Sequence, residues 1–319
     1  MSDRPAHNTA LEVSGGTVSI GGNVHAVQHN HSTEPQRHPS GPAPGGTPSG
    51  PAERSADVGI LTVLWEEMAA VVEVLRQTPD HRVEQVYGGG TVHRATFSAE
   101  GGPVRVVAMQ ALEPGTHSAA LGYQQLRRRF APPFVLLVGI AGGIRADVAV
   151  GDVVLSDEVI WYDSRRETEH GPRRRGRIQA TAPVLRHRIN DFLVRHGPVV
   201  RPGPGDLHDG VPGTGFRLHR GPIGSGNAVV TDTSSDIRSW LAEVHEKTLA
   251  VETEASGMAQ AFYEEIDDDH ELRGWLTVRG ISDRADRHKG HADHQLAARH
   301  AALTVQWLLP YLRPAEGPR

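Results

Sequence analysis

Apolar residues are sparse up to residue 56 and dense from residue 57 onward. In the dense part they follow two periods. Residues 58–64 (VGILTVL), 134–140 (FVLLVGI) and 275–281 (WLTVRGI) are nearly continuous apolar runs, the pattern of strands covered on both faces. Met68, Val71, Val72 and Leu75 recur at helical spacing and predict a helix over 65–76. Further strands are expected over 83–97 (with a turn at 88–90), 104–109, 151–160, 223–226 and 249–251. Further helices are expected over 118–130, 182–196, 234–245, 255–264 and 293–312. Buried strands alternating with helices indicate an α/β fold with a largely parallel or mixed sheet.

In open α/β sheets, ligands bind beyond the carboxyl ends of the strands. Glu66 and Glu67 follow the first run, and the glycine turn 139–143 (GIAGG) closes the run that starts at Phe134. Glu252, Thr253 and Glu254 follow 249–251, and Ser282 and Asp283 follow 275–281. A single acidic residue at a strand-to-helix junction commonly serves as an N-cap or a first-turn charge. Three such sets around one sheet point to a site. The glycines do not form a dinucleotide-binding turn. They lack the G-x-G-x-x-G spacing, and 145–152 leads into another strand rather than a helix.

Composition sets the domain boundary. Residues 1–56 hold 8 Gly, 7 Pro and 5 His and read as a disordered tail, because they cannot bury enough apolar surface to offset chain entropy. Within it, 13–27 (VSGGTVSIGGNVHAV) repeats Gly-Gly-x-Val with a period of six, a pattern suited to short strands and homotypic stacking between tails. Residues 57–319 are expected to form one catalytic domain. The chain has no cysteine, which excludes disulfides and Cys-ligated metal centres. Its longest apolar run is too short to span a membrane, and a net charge of −5 offers no general attraction to nucleic acid. A soluble cytoplasmic protein is expected.

Four segments then occur in order: 138–144 (VGIAGGI), 150–163 (VGDVVLSDEVIWYD), 251–255 (VETEA) and 278–286 (VRGISDRAD). Together they resemble the purine nucleoside phosphorylase and methylthioadenosine/S-adenosylhomocysteine nucleosidase superfamily over about residues 57–315. Within it, the chain is most similar to the nucleosidase-like domains of bacterial conflict and signalling effectors. The resemblance implies a three-layer α/β/α fold around a mixed, partly closed sheet, a homo-oligomer, no cofactor, and cleavage of a purine N-glycosidic bond. It matches Asp283 to the acid that protonates the purine, Glu66 to the base that activates water, and Arg279 to a residue near that water. Glu254, Glu252, Thr253, Ser282, Val229, Ile140 and Gly142 match substrate-binding positions.

Cleavage passes through an oxocarbenium-like ribosyl cation, which carboxylates stabilise. No arginine precedes Gly139, where the phosphorylases carry one, and a Glu in the nucleophile site would repel phosphate, so hydrolysis is favoured over phosphorolysis. A catalytically silent nucleoside-binding module is the third reading. Thr253, Ile140 and Val229 depart from frequent family residues and leave the 5′ substituent open. Arginine outnumbers lysine 31 to 2, and six arginines fall within 165–177. Arg173, Arg174 and Arg175 are therefore candidates for holding substrate phosphates, against a plain solvated loop. His288, His291 and His294 straddle a loop and a helix start, a spacing that does not converge on a metal.

Overall fold

The computed structural model describes residues 12–14, 17–19, 55–86, 89–201, 215–265, 273–286 and 291–314. The chain divides into two units, Met1–Ser49 and Gly50–Arg319. In the first, Glu12–Ser14 and Thr17–Ser19 pair antiparallel, with Val13 opposite Val18. Ser55 and Ala56, expected in the tail, belong instead to the second unit, where both N–H groups donate to Phe130 O and Ala56 is buried. The remainder of the expected tail, including the second Gly-Gly-x-Val repeat, lies outside the described residues.

The second unit is built on a mixed sheet. Val58–Thr62 runs parallel to both Val104–Gln110 and Phe134–Gly143. Phe134–Gly143 also runs parallel to Gly274–Asp283, which pairs antiparallel with Val153–Ser156. The continuous apolar runs show why these strands are central, since alternate residues enter different cores. Phe134, Leu136 and Val138 pack with Leu276 and Val278 against the helices Trp65–Leu75, Pro183–His196 and His291–Leu308. Val135 and Leu137 pack with Trp275 and Ile281 on the other face, against Thr116–Phe130 and Ala255–Glu264. This is the expected three-layer arrangement.

Phe134–Gly143 is ten residues long, and its edge serves two neighbours. Its first half pairs with Val58–Thr62, while Gly142 and Gly143 pair antiparallel with Ala250–Glu252. The sheet is thereby partly closed, and the ends of three strands are brought together. The glycines expected to form a turn at 142–143 are instead the last ladder residues of this strand. The expected strand over 151–160 is two strands, Val153–Ser156 and Glu158–Trp161, separated by the buried Asp157. Asp157 forms ion pairs with Arg186 (3.1 Å) and Arg220 (2.6 Å). The last helix ends at Leu308, and a short 3₁₀ turn containing Pro310 follows.

Candidate active site

The ends of Val58–Thr62, Phe134–Gly143, Ala250–Glu252 and Gly274–Asp283 surround a cavity of about 190 Å³. Glu67, Ile140, Gly142, Val229, Glu252, Thr253, Glu254, Ser282 and Asp283 all line it. Of the residues expected at the site from sequence, Glu66, Arg279 and the candidate phosphate ligands Arg173, Arg174 and Arg175 do not.

Glu66 is half-buried in the first turn of its helix, and the carboxylate that enters the cavity is its neighbour Glu67. Successive helical residues point about 100° apart, so only one of the two can face inward. Glu67 is three residues past the N-cap Leu64. Its Oε2 accepts the Val63 and Leu64 N–H groups (2.9 and 2.8 Å), while Oε1 accepts the Ile140 N–H (2.9 Å). Glu67 thus caps its own helix and ties it to the glycine-containing strand. An acidic side chain three residues after a helix start was the sequence signal that singles out Glu67.

Arg279 is fully buried behind the cavity wall. Its Nη2 donates to Glu252 Oε2 and to Glu254 Oε2 (3.0 Å), and its Nη1 lies 3.7 Å from Glu67 Oε1. Nε and Nη1 find no hydrogen-bond acceptor among the described residues. Burial works against the arginine's charge, but Glu252, Glu254 and Glu67 outweigh it and raise its pKa, so it stays cationic. Its position beneath the carboxylates makes it their shared counter-charge. Three carboxylates around one guanidinium sum to −2 when all are ionised. Burial accordingly raises the pKa of Glu67, with Arg279 opposing, and raises that of Glu252 in the same way.

This packing leaves no room for a side chain at residue 139. A Cβ added to Gly139 would overlap both Arg279 Nη1 and Glu67 Oε1. At the end of Gly274–Asp283, a β-bulge between Ile281 and Asp283 sets Asp283 opposite Gly142. Its Oδ2 accepts from Ser282 Oγ (2.9 Å) and its Oδ1 from the Ala285 N–H (2.7 Å). Ala285 has a φ of 51°, a left-handed conformation that costs a non-glycine residue about 1–2 kcal/mol. Glu254 Oε1 accepts from the Gly115 N–H (3.1 Å) and from the hydroxyl of Thr253.

Tyr162 forms part of the wall and was not singled out from sequence. Its hydroxyl donates to Gly226 O (2.9 Å) and Ala228 O (2.7 Å), which fixes the backbone carrying Val229 and Val230 into the cavity. Burial, together with nearby Glu252, raises its pKa and keeps the proton in place. Val229 is 64% exposed and forms the cavity's outer lip. His294 also lines the cavity. His300 sits apart, with Nδ1 2.6 Å from Gly151 O, and His288 lies outside the described residues. Among the described residues, no cluster of His, Asp and Glu is placed to hold a metal ion.

The arginine-rich stretch forms a hairpin rooted at Tyr162 and Asp163. Arg165–Thr168 pairs with Gly171–Arg174, so Arg165 faces Arg174 and Arg166 faces Arg173 across the ladder. Arg174 is anchored, donating to Tyr162 O (3.0 Å) and pairing with Asp236 (2.9 Å). Arg166, Arg173 and Arg175 are exposed. Like charges directly opposite one another weaken a strand pair, so this hairpin retains unbalanced positive charge.

Among the described residues, no helix is long and apolar enough to cross a membrane. The family model of the phosphorylase superfamily matches residues 57–309. Over 257 residues the chain is 27% identical to the ATP nucleosidase Cap17 of Escherichia coli, a match covering 76% of this chain and 49% of that protein. The chain thus spans about half the length of that relative. It is also 27% identical to the 5′-methylthioadenosine/S-adenosylhomocysteine nucleosidase of Chromohalobacter salexigens, with 78% and 96% covered. The nucleosidase of the same name from Neisseria meningitidis, solved with methylthio-immucillin-A, superposes with a TM-score of 0.59 at 20% identity over 79% of this chain and 98% of that one. Futalosine hydrolase of Helicobacter pylori superposes with a TM-score of 0.61 at 17% identity, over 80% and 97%. The family match spans most of the chain, and the strand-end cavity sits on the same fold: the chain belongs to the phosphorylase superfamily.

Proposed function

We propose that this domain hydrolyses the N-glycosidic bond of a purine nucleoside or nucleotide and releases the free base. The observation that carries this reading is the convergence of acidic groups from separate elements on one cavity: Asp283 at the end of Gly274–Asp283, Glu67 from the helix Trp65–Leu75, and Glu252 and Glu254 at the end of Ala250–Glu252. Asp283 donates a proton to the purine, which makes the base a competent leaving group. The bond from C1′ to the base breaks, and the bonding electrons leave with the purine. Glu67 orients a water molecule and accepts its proton as the water oxygen bonds to C1′. Glu254 accepts hydrogen bonds from the ribose hydroxyls and, with Glu252, stabilises positive charge on the ring. Arg279 acts through these carboxylates and is a positioning residue.

Hydrolysis is favoured over phosphorolysis because no arginine or lysine lines the cavity among the described residues, and Glu67 occupies the nucleophile's side. The arginine hairpin beside Tyr162 supports a substrate with 5′-phosphates, in keeping with the name of the relative that acts on ATP. Apolar side chains at Trp65 (64% exposed), Leu112 (93%) and Val229 support the expected homo-oligomer, which sedimentation velocity would test. Stacking between the Gly-Gly-x-Val tails remains part of the same proposal.

The decisive assay incubates the protein with methylthioadenosine, S-adenosylhomocysteine, adenosine, AMP, ATP and NAD, with and without phosphate, and measures free adenine. Phosphate-independent release is expected, and Asp283→Asn should reduce it by about 10²–10⁴-fold. Release only with phosphate would establish a phosphorylase. No release from any substrate would leave a binding module.

A further inference from the structure

A second cavity, of about 720 Å³, lies away from the carboxylates. One wall is Phe97, which pairs with Val104, the first residue of Val104–Gln110. That is the opposite end of the parallel strands from the catalytic cavity. The helix Pro183–His196 contributes Arg188, Arg195 and His196, and the end of the last helix and its 3₁₀ turn contribute Gln306, Trp307 and Tyr311.

Three features define what this cavity fits. Its floor is aromatic: the His196 ring lies 5.4 Å from Trp307 and 5.8 Å from Tyr311, and His196 Nε2 is 3.0 Å from the Tyr311 hydroxyl. Its charge is net positive. Arg195 pairs with Glu100 at 3.7 Å, whereas the half-buried Arg188 has no ion-pair or hydrogen-bond partner among the described residues. It also holds an unmet acceptor: Gln306 Nε2 donates to Gln77 Oε1 (2.7 Å), while Gln306 Oε1 is buried without a donor. A flat ring, a phosphate and an exocyclic amine would satisfy these three features in turn.

We infer that this cavity is a second small-molecule site that takes a nucleoside monophosphate, stacked on Trp307 and Tyr311 with its phosphate on Arg188. The site shares no lining residue with the catalytic cavity, so it stands or falls independently of the proposed reaction.

The test is photo-crosslinking of the full chain with 8-azido-AMP, followed by mapping of the labelled peptides. Label is expected on the segments carrying His196 and 307–311. AMP should protect these segments and adenosine should not. Arg188→Ala should lower this labelling by about tenfold or more, the worth of a charge-assisted hydrogen bond, and leave labelling of the catalytic cavity and the melting temperature unchanged. Arg188→Lys should restore part of it. Label confined to the catalytic cavity would overturn the inference. So would label at 307–311 that is indifferent to Arg188→Ala, or that adenosine protects as well as AMP does.

Discussion

Three carboxylates lining the strand-end cavity share one guanidinium buried behind it, whereas four arginines face one another across the 165–174 hairpin, where Glu167 and Asp236 are the acidic partners. Both regions concentrate one sign of charge, but they hold it differently. In the cavity each acidic group is buried and bound by backbone or side-chain donors, so its position is fixed before substrate arrives. In the hairpin Arg174 is anchored and Arg165 pairs with Glu167, whereas Arg166 and Arg173 are exposed and keep their rotamer freedom until an anion orders them. Preorganised charge suits a transition state, while adaptable charge suits capture of a flexible phosphate chain.

The largest expected effect concerns which glutamate serves the cavity. Glu67→Gln should lower adenine release by about 10²–10⁴-fold, while Glu66→Gln should leave it near wild type; a reversal of the two would relocate the base. Next is the counter-charge. Arg279→Met leaves three buried carboxylates without a cation, and the unfolding free energy should fall by about 3–5 kcal/mol in denaturant titration. A much smaller loss would mean that the carboxylates already carry protons.

The hairpin should respond more gently. Arg166→Ala/Arg173→Ala should lower kcat/KM for ATP by about 10–100-fold, the worth of one or two charge-assisted hydrogen bonds, with adenosine unaffected. Equal loss on both substrates would remove the hairpin from phosphate capture.

The smallest effect is a pH trend in stability. Burial raises the folded-state pKa of Glu67, so its contribution is fully present below the unfolded value of 4.5 and is lost as pH rises through the folded one. Glu67→Gln removes this loss. Its melting temperature relative to wild type should therefore be higher at pH 8 than at pH 5.

Much of this was legible in the sequence. The runs at 58–64, 134–140 and 275–281 identified the central strands because burial on both faces leaves a continuous apolar signature. Glu252, Glu254, Ser282 and Asp283 were legible because strand ends converge in such sheets. Glu67, and not the expected Glu66, lines the cavity, because strand-to-helix phase was not resolved at Leu64, and only the capping geometry decides which of two adjacent acids faces inward. Arg279 was expected beside the water. Its depth could not be read from a run that places it between two buried positions, since the guanidinium reaches over Gly139 to acids on two other segments, Glu67 and the stretch carrying Glu252 and Glu254. Tyr162 was missed because its contribution is a hydroxyl held by two distant carbonyls, which has no local pattern.

The arginine pairs across the hairpin also give it a thermodynamic sign of its own. At physiological ionic strength exposed charges act over about 8 Å, and added salt shortens that reach. For Arg105 and Asp57, 2.9 Å apart, screening removes an attraction. For Arg166 opposite Arg173, both exposed, it removes a repulsion. Rising salt should therefore loosen the surface ion pairs and tighten these two strands, and amide hydrogen exchange across 165–174 should slow under conditions that speed it elsewhere on the surface.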